Sequence, residues 1–265
     1  MTFQLTDMLY VALLLYALGT LSAFVSLFVP EKRIQYTGLL LMIGGFVAHT
    51  IWIGTICART GHPPITNLPE TLSFVGWVVF AVELGLWIRY RVYAASFFVY
   101  PLVLLLLTIS AAVGEKLAPL DPEQQSTLFT IHLLLSTVGV AGLFIGLAFG
   151  LLALMQDRAL KKKTRGALWA WIPSLDICRT VSFRALAIGF SIYTAGLLAG
   201  VLWSYRTNAG FMDLRVKQIS AVLAWVLFAI LLQAYINNTY RQKRILFVSA
   251  GAFVATLVAM LGIRA

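Results

Sequence analysis

The chain has 265 residues, 60% of them hydrophobic and only 11% charged, with a formal net charge of +10 and a mean hydropathy of +0.89. Most of such a chain cannot be water-facing surface, which excludes an ordinary soluble domain. The basic excess does not call for nucleic acid, because polytopic membrane proteins gather Lys and Arg at one face and meet anionic lipid there.

Eight apolar runs, at 8–29, 37–57, 71–88, 94–113, 126–156, 184–203, 218–237 and 245–263, are each long enough to cross roughly 30 Å of hydrocarbon. The predicted fold is therefore all-α, one polytopic transmembrane helix bundle of about eight spans covering residues 1–265. The first run is expected to be a span and not a signal peptide, since nothing basic precedes it and its apolar stretch exceeds a secretory core. With the N-terminus outside, the inner loops collect Lys32, Arg33, Arg89, Arg91, Arg158, Lys161, Lys162, Lys163, Arg165, Arg179, Arg184, Arg241, Lys243 and Arg244, the larger share of the 20 basic residues. Both termini are then expected outside, in a bacterial inner (cytoplasmic) membrane. Cys57 and Cys178 fall on opposite sides, so no disulfide is expected between them.

In the second run, His49 shares a helix face with Gly38 and Gly45, all within about 40° at 100° per residue. In the fifth, His132 shares its face with Gly139, Gly146 and Gly150. Such faces turn inward, because glycines admit a close neighbour and an ionisable group at membrane depth is costly unless it is used. Neutral imidazoles in an apolar bundle are what haem iron binds. The sequence holds no C-x-x-C-H, so a haem here would be non-covalent. The competing reading of His49 is a polar interhelical contact, with Gln233 as one partner.

Between the second and third runs, Gly61-His62-Pro63-Pro64-Ile65-Thr66-Asn67-Leu68-Pro69-Glu70 is a proline-stiffened turn, with Asn67 or Thr66 available as the cap of the third helix. His62 is expected in a wet loop. Glu83, the remaining intramembrane charge, must be protonated, paired or facing a polar cavity, and His49, Gln233 or Arg89 are candidate partners. Gly142 to Gly150 spells GxxxGxxxG, a helix-packing device. The segment from Gln156 to Phe183 is expected as a long inner loop, opening on the basic cluster Arg158 to Arg165 and continuing through Trp169, Trp171, Pro173 and Asp176 at the membrane interface. No H-E-x-x-H, Walker loop, nucleophile elbow or paired carboxylates within one span occurs, so no catalysis is expected.

His49 followed by Gly61 to Glu70 resembles the cytochrome c assembly family typified by CcsA and ResC, in which a helix with an intramembrane histidine precedes G-H-x-P-x-[ST]-N-x-x-E. Pro69 stands where that family often has an aromatic residue. Pro173-Ser174-Leu175-Asp176, Arg184, Gly189-Phe190, Gly196, Gly200 and Trp203 are similar to its run into the helix before a tryptophan-rich segment, and Leu154 to Lys163 resembles the HemX and YpjD-like branch. The resemblance implies haem handling, with His49 in the place of the first intramembrane ligand and His132 in that of the first outer one. It also implies losses. The tryptophan-rich segment falls on Asn208 to Gln218 and keeps only Lys217, with Arg215 at the aspartate position and Asp213 nearby. The second intramembrane histidine falls on Gln233, and no histidine follows it.

Three functions are therefore expected to compete. The first is a haem-binding protein passing non-covalent haem b, with His49 and His132 as axial ligands and Gln233 and Trp203 beside the cofactor. The second is a membrane scaffold, partnered by another cytochrome c assembly protein or by a soluble tetrapyrrole-synthesis enzyme such as glutamyl-tRNA reductase at the inner face. The third is a proton-coupled small-molecule transporter using Glu83 and His49.

Overall fold

The computed structural model describes residues 5–29, 31–64, 67–91, 93–113, 125–163, 173–207 and 216–237, together with 248–249, 251–252, 254–256 and 258–259. Among them no strand occurs, and seven helices are long and apolar enough to cross a membrane. They are α1 (Leu5–Phe28), α2 (Lys32–Thr60), α3 (Leu68–Tyr90), α4 (Ser96–Val113), α5 (Thr127–Lys162), α6 (Leu175–Arg206) and α7 (Val216–Ile236). The eighth predicted span lies largely outside the described residues. Those of it that are described are helical, and Ala252 and Ala255 are buried in a core with α5, α6 and α7.

Helix ends follow local chemistry. Gly61, at φ 76°, closes α2 in the left-handed region that glycine adopts without a Cβ clash, and its N–H donates to the Cys57 carbonyl at 2.9 Å. Asn67 caps α3 reciprocally: its Oδ1 accepts from the Glu70 N–H and its Nδ2 donates to Glu70 Oε1, both at 2.9 Å. Pro69 sits in the first turn, where its missing N–H has no intrahelical partner to lose.

The expected long inner loop is corrected by the structure. Helix α5 continues through Lys162, so Arg158, Lys161 and Lys162 are helical, and α6 opens at Leu175 on the Ser174 cap, so Asp176 and Arg179 are helical too. At about 1.5 Å per residue these helices of 36 and 32 residues run well past a hydrocarbon layer of roughly 30 Å. The hydropathy pattern marks only the apolar part of each helix, and the polar turns beyond it keep their backbone bonds. Trp169 and Trp171 lie outside the described residues, as does the eroded tryptophan-rich stretch from Asn208 to Arg215.

The chain forms two compact units, residues 1–120 with 159–173, and residues 121–158 with 174–265. In the first, α1 and α2 meet over glycines. A Cβ at Gly45 would lie 2.7 Å from Tyr16 Cδ1, and one at Gly19 would lie 2.7 Å from Met42 Cγ. Helix α4 carries Pro101 in its interior and buries Val99, Tyr100, Val103 and Leu107 completely.

In the second unit, α5 and α6 form an antiparallel seam stepping through the glycines. A Cβ at Gly139 would lie 2.6 Å from the Tyr193 backbone nitrogen, one at Gly142 3.0 Å from Gly189 Cα, and one at Gly146 2.6 Å from Leu186 Cγ. The GxxxGxxxG run is thus a packing surface inside this unit, as its spacing predicts. Ser182 Oγ donates to the Gly146 carbonyl at 2.7 Å and lies 2.7 Å from the Tyr235 hydroxyl, while Trp225 Nε1 donates to Thr194 Oγ1 at 2.9 Å, joining α7 to the seam.

Candidate functional site

His132 lies on the second turn of α5, about 8 Å from its start at 1.5 Å per residue, at one end of the glycine seam. Its imidazole rests against the backbone of α6: a Cβ at Gly200 would come within 2.5 Å of His132 Nδ1 and 2.6 Å of Cε1, so only glycine leaves room for the ring. Nδ1 lies 2.7 Å from the Gly196 carbonyl oxygen, and Ser136 Oγ stands 3.4 Å from the same nitrogen. A carbonyl only accepts, so Nδ1 carries the proton, and the lone pair of the neutral ring is on Nε2. This is the arrangement found when a histidine ligates a metal, with the far nitrogen tied to a backbone oxygen so that tautomer and ring plane are fixed. One layer along the seam, Trp203 packs on Phe129 with ring centroids 4.9 Å apart, placing two aromatic faces at the same end of the helix pair.

His49 is different. It belongs to the first unit and is fully buried on α2. Nε2 is 2.6 Å from Ser73 Oγ on α3, and Nδ1 is 3.4 Å from the Tyr16 hydroxyl on α1. The Tyr16 ring meets it edge-on at 5.9 Å, and Trp52 lies at 5.9 Å on its own helix. The inward face predicted with Gly38 and Gly45 is present, since both glycines are buried with the histidine. Both ring nitrogens have neighbours that a short sequence motif does not announce: Ser73 and Tyr16 each stand alone in apolar runs.

The remaining predicted residues are placed as follows. Gln233 is exposed on α7 in the second unit. Trp203 is half-buried on α6 beside the His132 layer. His62 is not in a wet loop. It is 8% exposed, its Nδ1 donates to the Pro63 carbonyl at 2.9 Å, and Thr60 Oγ1 donates to its carbonyl at 3.0 Å, so the turn folds over its own imidazole. Glu83 is buried and its Oε2 has no hydrogen-bond partner among the described residues; of its candidate partners, Arg89 lies with its guanidinium over the Tyr90 ring at 5.3 Å and His49 Nε2 is 2.6 Å from Ser73 Oγ. Among the described residues no group of three His, Cys, Asp or Glu side chains is placed to hold a bare metal ion.

Comparison with known proteins adds the decisive observation. The family model described as cytochrome c assembly protein matches residues 65–265, well over half of the chain. The chain belongs to the CcsA-type cytochrome c assembly family. The CcsA cytochrome c biogenesis protein of Guillardia theta is 25% identical over 278 residues, covering 97% of this chain and 89% of that protein. Its namesake from Chlamydomonas reinhardtii is 25% identical over 220 residues, covering 78% of this chain and 59% of that protein. The one from Synechococcus sp. (strain CC9902) is 23% identical over 234 residues, with 78% and 76% covered. The α5–α6 seam, His132 and Trp203 all lie inside the matched family region, whereas His49 precedes it.

Proposed function

We propose that this cytochrome c assembly membrane protein holds non-covalent haem b as its cargo, with Nε2 of His132 as an axial ligand to the iron. The carrying observation is the 2.7 Å bond from His132 Nδ1 to the Gly196 carbonyl, which makes Nε2 the basic nitrogen of a ring held in one plane against Gly200. The fit is chemical as well as geometric: a neutral imidazole, flanking Phe129 and Trp203 rings, and glycines that leave the ring space. Haem, when bound, would supply an iron that a neutral imidazole can ligate. Gly196 and Gly200 orient the ring, Ser136 flanks Nδ1, and Trp203 with Phe129 offers the apolar face that a porphyrin edge packs against.

His49, on this reading, is a core residue of the first unit. Its two close oxygen neighbours make it the polar centre of the α1–α2–α3 packing, and the single imidazole at His132 accounts for exchangeable binding suited to transfer. The protein is thus a holder and carrier, not an enzyme, and the bacterial cytoplasmic membrane is its proposed location.

A second reading, in which a soluble tetrapyrrole-synthesis enzyme or another assembly protein docks at the inner face, draws support from one feature. Arg158, Lys161, Lys162 and Lys163 are all exposed at the end of α5, beyond its apolar stretch, where they offer cations to an acidic partner or to anionic lipid.

The test is the absorption spectrum of detergent-purified protein, with acid-solvent extraction to show that the haem is non-covalent. A Soret band in the wild type, or on addition of haemin, is expected, together with its loss in His132→Ala. A colourless protein that also fails to take up haemin overturns the proposal.

A further inference from the structure

One buried acid is left over by this reading. Glu83 is 2% exposed on α3, and its Oε2 has no hydrogen-bond partner among the described residues. The nearest arginines in sequence are engaged elsewhere, Arg89 over the Tyr90 ring and Arg91 over the Trp87 ring at 4.5 Å. Tyr100 of α4 and Tyr93 just before it both lie within electrostatic reach of the carboxyl, and their rings meet edge-on at 6.2 Å. Tyr100 is fully buried, and its hydroxyl also finds no partner among the described residues. On the α2 side the wall is cut away: a Cβ at Gly38 would lie 2.9 Å from Tyr93 Oη, so the glycine admits that hydroxyl into the helix interface. From α1, Ser22 faces the same glycine, its Oγ 3.1 Å from where a Gly38 Cβ would lie, and donates to the Ile34 carbonyl at 2.8 Å. Tyr93 and Tyr100 are the titratable groups in electrostatic contact with Glu83 among the described residues.

An isolated carboxylate in hydrocarbon is far more costly than a neutral acid, and unpaired buried polar atoms ask for a proton, a water or an ion. An ion is the poorer match, since one carboxyl and two phenols supply fewer oxygens than a hard cation requires and no cluster of ligating acids is present among the described residues. We propose that Glu83, beside the Tyr93 and Tyr100 hydroxyls that find no partner among the described residues, is a proton-binding site inside the first unit: Glu83 takes one proton from a hydronium ion, leaving a water and a neutral carboxylic acid. This site is independent of His132 and of haem.

Infrared spectroscopy of the detergent-purified full-length protein tests it. At neutral pH the wild type is expected to show the C=O stretch of a neutral carboxylic acid. The band should move on labelling with ¹³C-glutamate and in D₂O, be lost in Glu83→Gln, and change position in Tyr100→Phe. If Glu83→Gln does not fold, the labelled wild type and Tyr100→Phe decide the matter. Absence of a neutral glutamic acid band from the labelled wild type, or a band unchanged in Glu83→Gln or in Tyr100→Phe, overturns the proposal. Haem content leaves every one of these outcomes unaltered, so failure here is separate from failure of the His132 reading.

Discussion

The two units each enclose a histidine on a glycine-bearing face, and they treat it in opposite ways. In the first, His49 is wrapped on all sides, with Ser73 at one nitrogen and Tyr16 near the other. In the second, the His132 Nδ1–H donates to the Gly196 carbonyl and the ring rests against Gly200, and the histidine stays half-buried near a helix end. Glycines beside a histidine thus accompany two different environments, one closed by hydroxyls and one set by a backbone carbonyl. On the proposed reading, the ring whose Nδ1–H is tied to a backbone carbonyl is the haem ligand and the ring bracketed by two hydroxyls is the core residue.

The comparison breaks most completely at the glycine seam. Gly139→Leu pushes a side chain into the backbone of Tyr193, where nothing can rotate away, and overpacking of that kind costs about 3 kcal/mol or more. The expected result is a lower melting temperature, or loss of monodisperse protein on size exclusion, while Gly54→Ala, which meets nothing within 4 Å, leaves both unchanged. Next in size is His49→Ala. It opens a cavity in the first unit and strands the hydroxyls of Ser73 and Tyr16, a loss of about 2 kcal/mol seen as a melting shift without change in haem content. Smaller again, Tyr235→Phe removes the hydroxyl beside Ser182 and costs about 0.6 kcal/mol, the usual worth of an interhelical hydrogen bond in a membrane.

The smallest effect belongs to Gln233. Because the side chain is exposed on α7, Gln233→Ala is expected to change stability by less than about 0.5 kcal/mol. Gln233→His sharpens the family correspondence. An iron held by His132 predicts no change of spin state in that variant, whereas a low-spin bis-histidine spectrum would return His49 and Gln233 to the haem.

Much of this was legible in the sequence, for physical reasons that also explain the misses. Long apolar runs dictate spans, so every described helix lies under a predicted one, and Asn67, Pro69 and Gly61 announce helix ends through local hydrogen bonding and φ preference. The C-terminal turns of α5 and the N-terminal turns of α6 were missed because they are polar and are held by backbone bonds, which leave no trace in hydropathy. His132 could be singled out because Gly139, Gly146 and Gly150 share its own helix face, and the structure packs Gly139 and Gly146 against α6. The company of His49 could not, since Ser73 and Tyr16 come from two other helices and nothing in their own runs points to an imidazole. His62 looked water-facing because loops usually are, but its imidazole is buried with Nδ1 on the Pro63 carbonyl.

The most direct test of the account is a parallel haemin titration of wild type, His132→Ala and His49→Gln, followed by Soret absorption. The account predicts that His132→Ala weakens binding at least about tenfold, roughly 1.4 kcal/mol, while His49→Gln binds as the wild type does. The reverse pattern, with binding lost in His49→Gln and kept in His132→Ala, would contradict it.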